Sequence, residues 1–115
     1  MEVDKVNLIN EDSKFEGTLE FADYTRFEGK LKGTMLGLDG SEIIIGTNGV
    51  VDGRIECDAI VIDGYVRGEI SARRKITVSG SGRVIGEINA PSVEIHFGGY
   101  FEGRCQMENA LPAKN

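Results

Sequence analysis

The sequence predicts an all-β fold: a single right-handed parallel β-helix, or solenoid, of about six short coils with roughly 17 residues per coil. Three observations carry this expectation. Glycine recurs at Gly17, Gly33, Gly53, Gly68, Gly86 and Gly103, at intervals of 16, 20, 15, 18 and 17 residues. Each of these glycines has an apolar residue two positions before it and another two positions after it. No stretch shows the 3.6-residue apolar period with caps that a helix would need.

The flanks establish the phase. Two residues before the glycines lie Phe15, Leu31, Val51, Val66, Val84 and Phe101; two residues after lie Leu19, Met35, Ile55, Ile70, Ile88 and Cys105. All twelve are apolar in a chain that is 40% hydrophobic, where chance would fill about five. The residues immediately after the glycines (Thr18, Thr34, Arg54, Glu69, Glu87, Arg104) are polar throughout. Such alternation means extended backbone, because strand side chains point to opposite faces with period two. A second alternating pair follows in most units: Thr25 and Phe27, Ile43 and Ile45, Ile60 and Ile62, Ile76 and Val78, Val93 and Ile95. Gly46-Thr47-Asn48-Gly49, Asp63-Gly64, Ser79-Gly80-Ser81-Gly82 and Gly98-Gly99 read as corners, where glycine tolerates positive φ.

A unit of this length is too short for a propeller blade and lacks the leucine pattern of a leucine-rich repeat. It fits one turn of a parallel solenoid, whose coils stack at about 4.8 Å with their apolar rows inward. The β-helix domain is expected over residues 6–108, with short disordered tails at 1–5 and 109–115. The longer interval around Met35–Gly40 reads as a bulged corner.

Bulk charge narrows the function classes. The net charge is −6 and the pI about 4.8, which disfavours nucleic acid, whose binders present a basic face. No apolar run reaches the roughly 20 residues of a membrane span. Met1 to Lys5 lacks the features of a secretory signal, so the expected location is cytoplasmic. Cys57 and Cys105 read as reduced, small core hydrophobes. His96 stands alone and in an outward phase, with no zinc-ligand spacing around it. There is no hexapeptide period of the kind a left-handed acyltransferase helix has, and no nucleophile–base pair or phosphate loop. The expectation is therefore no enzyme, no cofactor, no metal and no nucleotide. Arg73-Arg74-Lys75 is the only basic run, a solvated corner or a possible partner contact.

The ends matter most for function. A solenoid's terminal coils expose unpaired backbone groups beside an open apolar core, a template for another chain. Aromatics concentrate near the two ends, at Phe15, Phe21, Tyr24 and Phe27 and again at Phe97, Tyr100 and Phe101. The expected self-association surface comprises Leu8, Phe15, Leu19, Phe21, Phe97, Tyr100, Phe101, Cys105 and Met107. A monomeric adaptor docking partners on one lateral face is the alternative, and a β-helix enzyme the less favoured one.

The segments Gly-Val-Val-Asp-Gly-Arg-Ile (49–55), Gly-Tyr-Val-Arg-Gly-Glu-Ile-Ser-Ala (64–72), Val-Ile-Gly-Glu-Ile-Asn-Ala-Pro-Ser-Val-Glu-Ile (84–95) and Phe-Glu-Gly-Arg-Cys-Gln-Met (101–107) resemble bactofilins. The resemblance runs through roughly residues 6 to 108. It implies a bacterial cytoskeletal protein that polymerises without nucleotide through its terminal coils. It also implies association with the inner-membrane periphery and partnership with cell-wall enzymes or membrane-associated proteins that affect cell shape. The sequence departs from the family's pattern in its first ten residues, which include Glu2 and Asp4, and in having almost no proline-rich flank.

Overall fold

The computed structural model describes residues 6–9 and 13–107. The expected tails, 1–5 and 109–115, lie outside the described residues. The chain forms ten strands and, among the described residues, no helix: β1 (Val6–Ile9), β2 (Lys14–Phe21), β3 (Tyr24–Phe27), β4 (Lys30–Gly37), β5 (Glu42–Ile45), β6 (Val50–Ile62), β7 (Tyr65–Val78), β8 (Arg83–Asn89), β9 (Ser92–Ile95) and β10 (Tyr100–Gln106). Every pairing is parallel. The result is a β-solenoid of about five turns with about 17 residues per turn. Six rungs bound those five turns, which is the sense in which the glycine repeat counts six.

The strands stack in two columns. The short column holds β1, β3, β5, residues 59–62, residues 75–78 and β9. The long column holds β2, β4, residues 50–57, residues 65–72, β8 and β10. β6 and β7 serve both columns, because only Asp58 in one and Arg73-Arg74 in the other separate the two segments. That one-residue difference is the register shift between Cys57 and Ala59.

Each long-column strand bends at its glycine, and the six glycines pair directly with one another down the stack. All six have φ between 110° and 144°, a region that costs a side chain of ordinary chirality dearly. Space excludes a side chain as well. A Cβ on Gly68 would fall inside 3 Å of the Gly53 carbonyl oxygen, and Gly33, Gly53, Gly86 and Gly103 meet the rung before them in the same way.

The core is the pair of apolar rows flanking this ladder plus the inward pair of the short column. Leu31, Val51, Val66 and Val84 form one buried row and Met35, Ile55, Ile70 and Ile88 the other; Ile43, Ile45, Ile60, Ile62, Ile76 and Val78 complete it. Full burial of each such side chain contributes about 1.5–3 kcal/mol. Cys57, Ala72 and Ala90 line the narrower corner, where little room remains.

The 20-residue interval between Gly33 and Gly53 has two sources. The corner at 38–41 has four residues where the next coil uses Asp58 alone, and the corner at 46–49 has four where the next uses Asp63-Gly64. The expected bulged corner thus supplies part of the excess and the opposite corner the rest.

Gly68→Val, mid-stack, is expected to cost at least ~3 kcal/mol, whereas Glu69→Val on the exposed side should stay within about 0.5 kcal/mol. Urea midpoints of the two variants measure this, and equal midpoints would contradict the glycine-corner account.

Candidate functional site

The two ends of the stack are where interior chemistry meets solvent. In the last rung, Val93, Ile95, Phe101 and Cys105 lie in register with Ile76, Val78, Val84 and Ile88. Val78 is fully buried, yet Ile95, one rung further along the same row, is 45% exposed. Val93 and Phe101 are half-buried and Cys105 is exposed. The edge produces this difference, since the residue types are those of the interior. Among the described residues, no strand pairs with the outer sides of β9 and β10, leaving a row of backbone donors and acceptors there.

The first rung is more closed. Phe15 packs on Phe27 with ring centroids 6.3 Å apart and planes tilted by 44°. Ile9, Phe15 and Leu19 are half-buried against the core. Gly17 differs from the other ladder glycines in that a Cβ there would meet nothing within 4 Å among the described residues. Among the described residues, none fills the place that a preceding rung's carbonyl would take.

The other expected residues belong to the end rungs, but not all of them lie in the half-open inward rows. Phe21 is a core residue, 7% exposed, because it pairs in register with Gly37 and its ring fills the space that glycine leaves. Leu8 pairs in register with Arg26. Phe97 is fully exposed at the tip of the last corner, outside the inward rows. Tyr100 occupies an outward position beside Arg83, whose guanidinium lies 5.4 Å from its ring centroid. The Tyr100 hydroxyl donates to Glu102 Oε1 at 2.6 Å, which raises its pKa. Met107 follows β10 and is exposed. Cys105 was expected in the core; its row is inward, but among the described residues no later rung covers it. Pattern alone cannot mark which period of a repeat is the last.

The basic run lies at a corner and is matched by acids from other coils. Arg73 Nε donates to Asp58 Oδ1, and its Nη2 donates to the carbonyls of Gly37 at 3.0 Å and Leu38 at 3.3 Å. The Gly40 N–H donates to Asp58 Oδ2 at 2.6 Å, so Asp58 ties the four-residue corner down. Partial burial would raise the Asp58 pKa, but the Arg73 hydrogen bond, the Gly40 N–H and the nearby guanidinium charges hold it below the usual carboxylate value. Arg74 pairs with Glu42 at 3.0 Å and Lys75 with Glu94 at 3.0 Å. Glu94 also meets His96 at 3.2 Å; hydrogen bonds from Lys75 and then His96 hold its pKa low. His96 is outward, as its phase predicted.

Residues 7–106 match the family model described as Bactofilin, polymer-forming cytoskeletal. Bactofilin BacP of Myxococcus xanthus is 32% identical over 72 residues, which is 63% of this chain and 30% of the relative. Bactofilin BacO of the same organism is 38% identical over 61 residues, 53% of this chain and 48% of the relative. The chain thus spans less than half the length of these curated relatives. A cryo-EM reconstruction of Thermus thermophilus bactofilin double helical filaments shares the fold, with a TM-score of 0.71 at 21% identity over 86% of this chain and 98% of that one.

Two outcomes test the site geometry. Burial pushes the Cys57 thiol from an ordinary 9.0 up to about 12. A thiol reagent at pH 8 is therefore expected to modify Cys105 rapidly and Cys57 only on unfolding; mass spectrometry reads both, and equal rates would refute the burial of Cys57. The raised value means that Cys57 supports the fold below about pH 9 and that this support is lost as pH rises toward 12. For Asp58 the sign is opposite: its lowered pKa supports the fold above the ordinary carboxylate range and ceases to as pH falls through and below it. Asp58→Asn should lower the urea midpoint at pH 7, and the gap from the parent should close in acid.

Proposed function

Because this chain belongs to the bactofilin family, we propose that it is a cytoskeletal subunit that stacks end on end into filaments without nucleotide, organising cell-shape or cell-envelope machinery at the cytoplasmic face of the inner membrane. The observation that carries the reading is the last rung. Ile95, Phe101 and Cys105 continue buried rows of the solenoid, yet Ile95 and Cys105 are exposed and Phe101 only half-buried, beside a strand edge that no described residue pairs. A second copy placed there would extend the same parallel ladder and cover these side chains, at no cost in new chemistry. The position before Gly17, which no described residue fills, offers an edge of the same kind at the other end.

This is a structural role. Stacking needs apolar burial and backbone pairing, neither of which requires hydrolysis of a bound nucleotide. Partners of the filament would be cell-wall enzymes or membrane-associated proteins, with the lateral faces of the rod left free to meet them.

High-speed sedimentation and negative-stain electron microscopy of nucleotide-free protein are the test. The parent is expected to pellet as filaments. Phe101→Arg and Phe15→Arg, each placing a charge in an end coil, should leave folded protein in the supernatant, with circular dichroism confirming the β-signal. A parent that stays monomeric across a range of salt would refute end-on assembly.

A further inference from the structure

The lateral faces differ in how their charges are matched. Among the described residues, six cations (Arg26, Arg54, Arg73, Arg74, Lys75 and Arg104) lie in ion pairs with carboxylates. The other five described cations, Lys14, Lys30, Lys32, Arg67 and Arg83, are exposed and lie within ion-pair distance of no carboxylate. All five point outward from one stretch of the long column, the three residues ahead of each ladder glycine.

Register divides that stretch into two rows. One row runs Glu16, Lys32, Asp52, Arg67, Ile85, Glu102, and its acids and bases alternate at the rung spacing. Such a row largely neutralises itself. The other runs Lys14, Lys30, Val50, Tyr65, Arg83, Tyr100 and contains no acid at all. At its first three rungs a groove of about 430 Å³ opens, lined by Lys14, Lys30 and Val50 of this row, by Phe15 and Leu31, and by Glu16, Lys32 and Asp52 of the mixed row. On a chain of net charge −6, a one-residue-wide strip of uncompensated cations and aromatic rings beside a partly apolar groove is a recognition surface.

We infer that this strip docks an acidic segment of another protein, extended along the rod axis, with carboxylates over Lys14, Lys30 and Arg83 and an apolar side chain in the groove. The inference goes beyond self-assembly and does not depend on it. The shape of the charge pattern selects the partner. A lipid surface is a plane, and it would press its phosphates against Glu16, Asp52 and Glu102 in the neighbouring row as well as on the cations. A single extended chain follows the basic row with its carboxylates and meets the mixed one only with the apolar side chain it sets in the groove. The tyrosines supply amphipathic contact area with little rotamer entropy to lose.

The test titrates a fluorescein-labelled ten-residue peptide of alternating Glu and Leu against the full chain, read by anisotropy. Lys14→Glu/Lys30→Glu is compared with Arg54→Glu/Arg104→Glu, which carries the same net charge on a different face. The expected result is that the parent binds and that the first variant is weakened about tenfold or more, while the second stays within about twofold. Lys14→Gln/Lys30→Gln, which removes charge without reversing it, should fall between and guards against misfolding of the reversed variant. No binding by the parent, or equal losses in both charge-reversed variants, would overturn the proposal. Parallel co-sedimentation with phosphatidylglycerol vesicles covers the lipid source: vesicle binding that needs Lys14 and Lys30, without peptide binding, would also overturn it.

Discussion

At each glycine corner the backbone of one rung rests against the carbonyl of the rung before, so closely that no Cβ fits between them at Gly33, Gly53, Gly68, Gly86 or Gly103. This contact sets the phase of the whole coil. With glycine pinned on glycine, the residues two before and two after must fall on the inward rows in every rung. The pairing of long-column strands accordingly keeps one register from β2 to β10. A slip of one residue would turn every apolar side chain to the outside. Because the phase is reset once per coil, the corners elsewhere are free to vary from one residue at Asp58 to four at 38–41 without disturbing the core.

The same constraint makes the ends of the stack unlike the ends of a globular fold. A solenoid buries each rung only against its neighbours, so the last rung has interior residues and half an interior. Ile95 and Val78 illustrate this, being consecutive members of one row with very different exposure. The first rung is partly sealed by its own aromatics, Phe21 over Gly37 and Phe15 against Phe27. The two ends are therefore chemically distinct surfaces, and the more open of them is the one formed by β9 and β10.

The fold was legible because the glycine phase and the apolar rows repeat often enough to be aligned without a structure. What escaped was whatever depends on contacts outside the repeat. Phe21 is in an end rung, but its burial was not legible because its partner Gly37 carries no side chain to announce the cavity. Cys105 looked buried because its row is buried everywhere except at the edge. Arg73-Arg74-Lys75 read as a solvated corner or a partner contact, and no local pattern announced their carboxylate partners Asp58, Glu42 and Glu94, which come from other coils. Lys14, Lys30 and Arg83 had no visible connection along the chain. Their shared position, three residues before a ladder glycine, was present in the alignment and is the signal by which the row could have been found.

That position explains why a solenoid is a good device for displaying a line of charge. Stacking at about 4.8 Å brings residues of one phase into a straight row, so a single choice per coil writes a continuous stripe. Like charges at that spacing repel, and nature's usual remedy is alternation, as in the row from Glu16 to Glu102. The neighbouring row instead keeps Lys14 and Lys30 on adjacent rungs, separates them from Arg83 with Val50 and Tyr65, and places Arg83 over the Tyr100 ring. That gap limits repulsion between its two ends, while the lysine pair is left without a carboxylate to cancel its charge. Stacked end on end, copies would repeat the stripe along the filament at a fixed interval. A partner with more than one acidic segment would then gain affinity from effective concentration, and assembly would strengthen docking without any new contact.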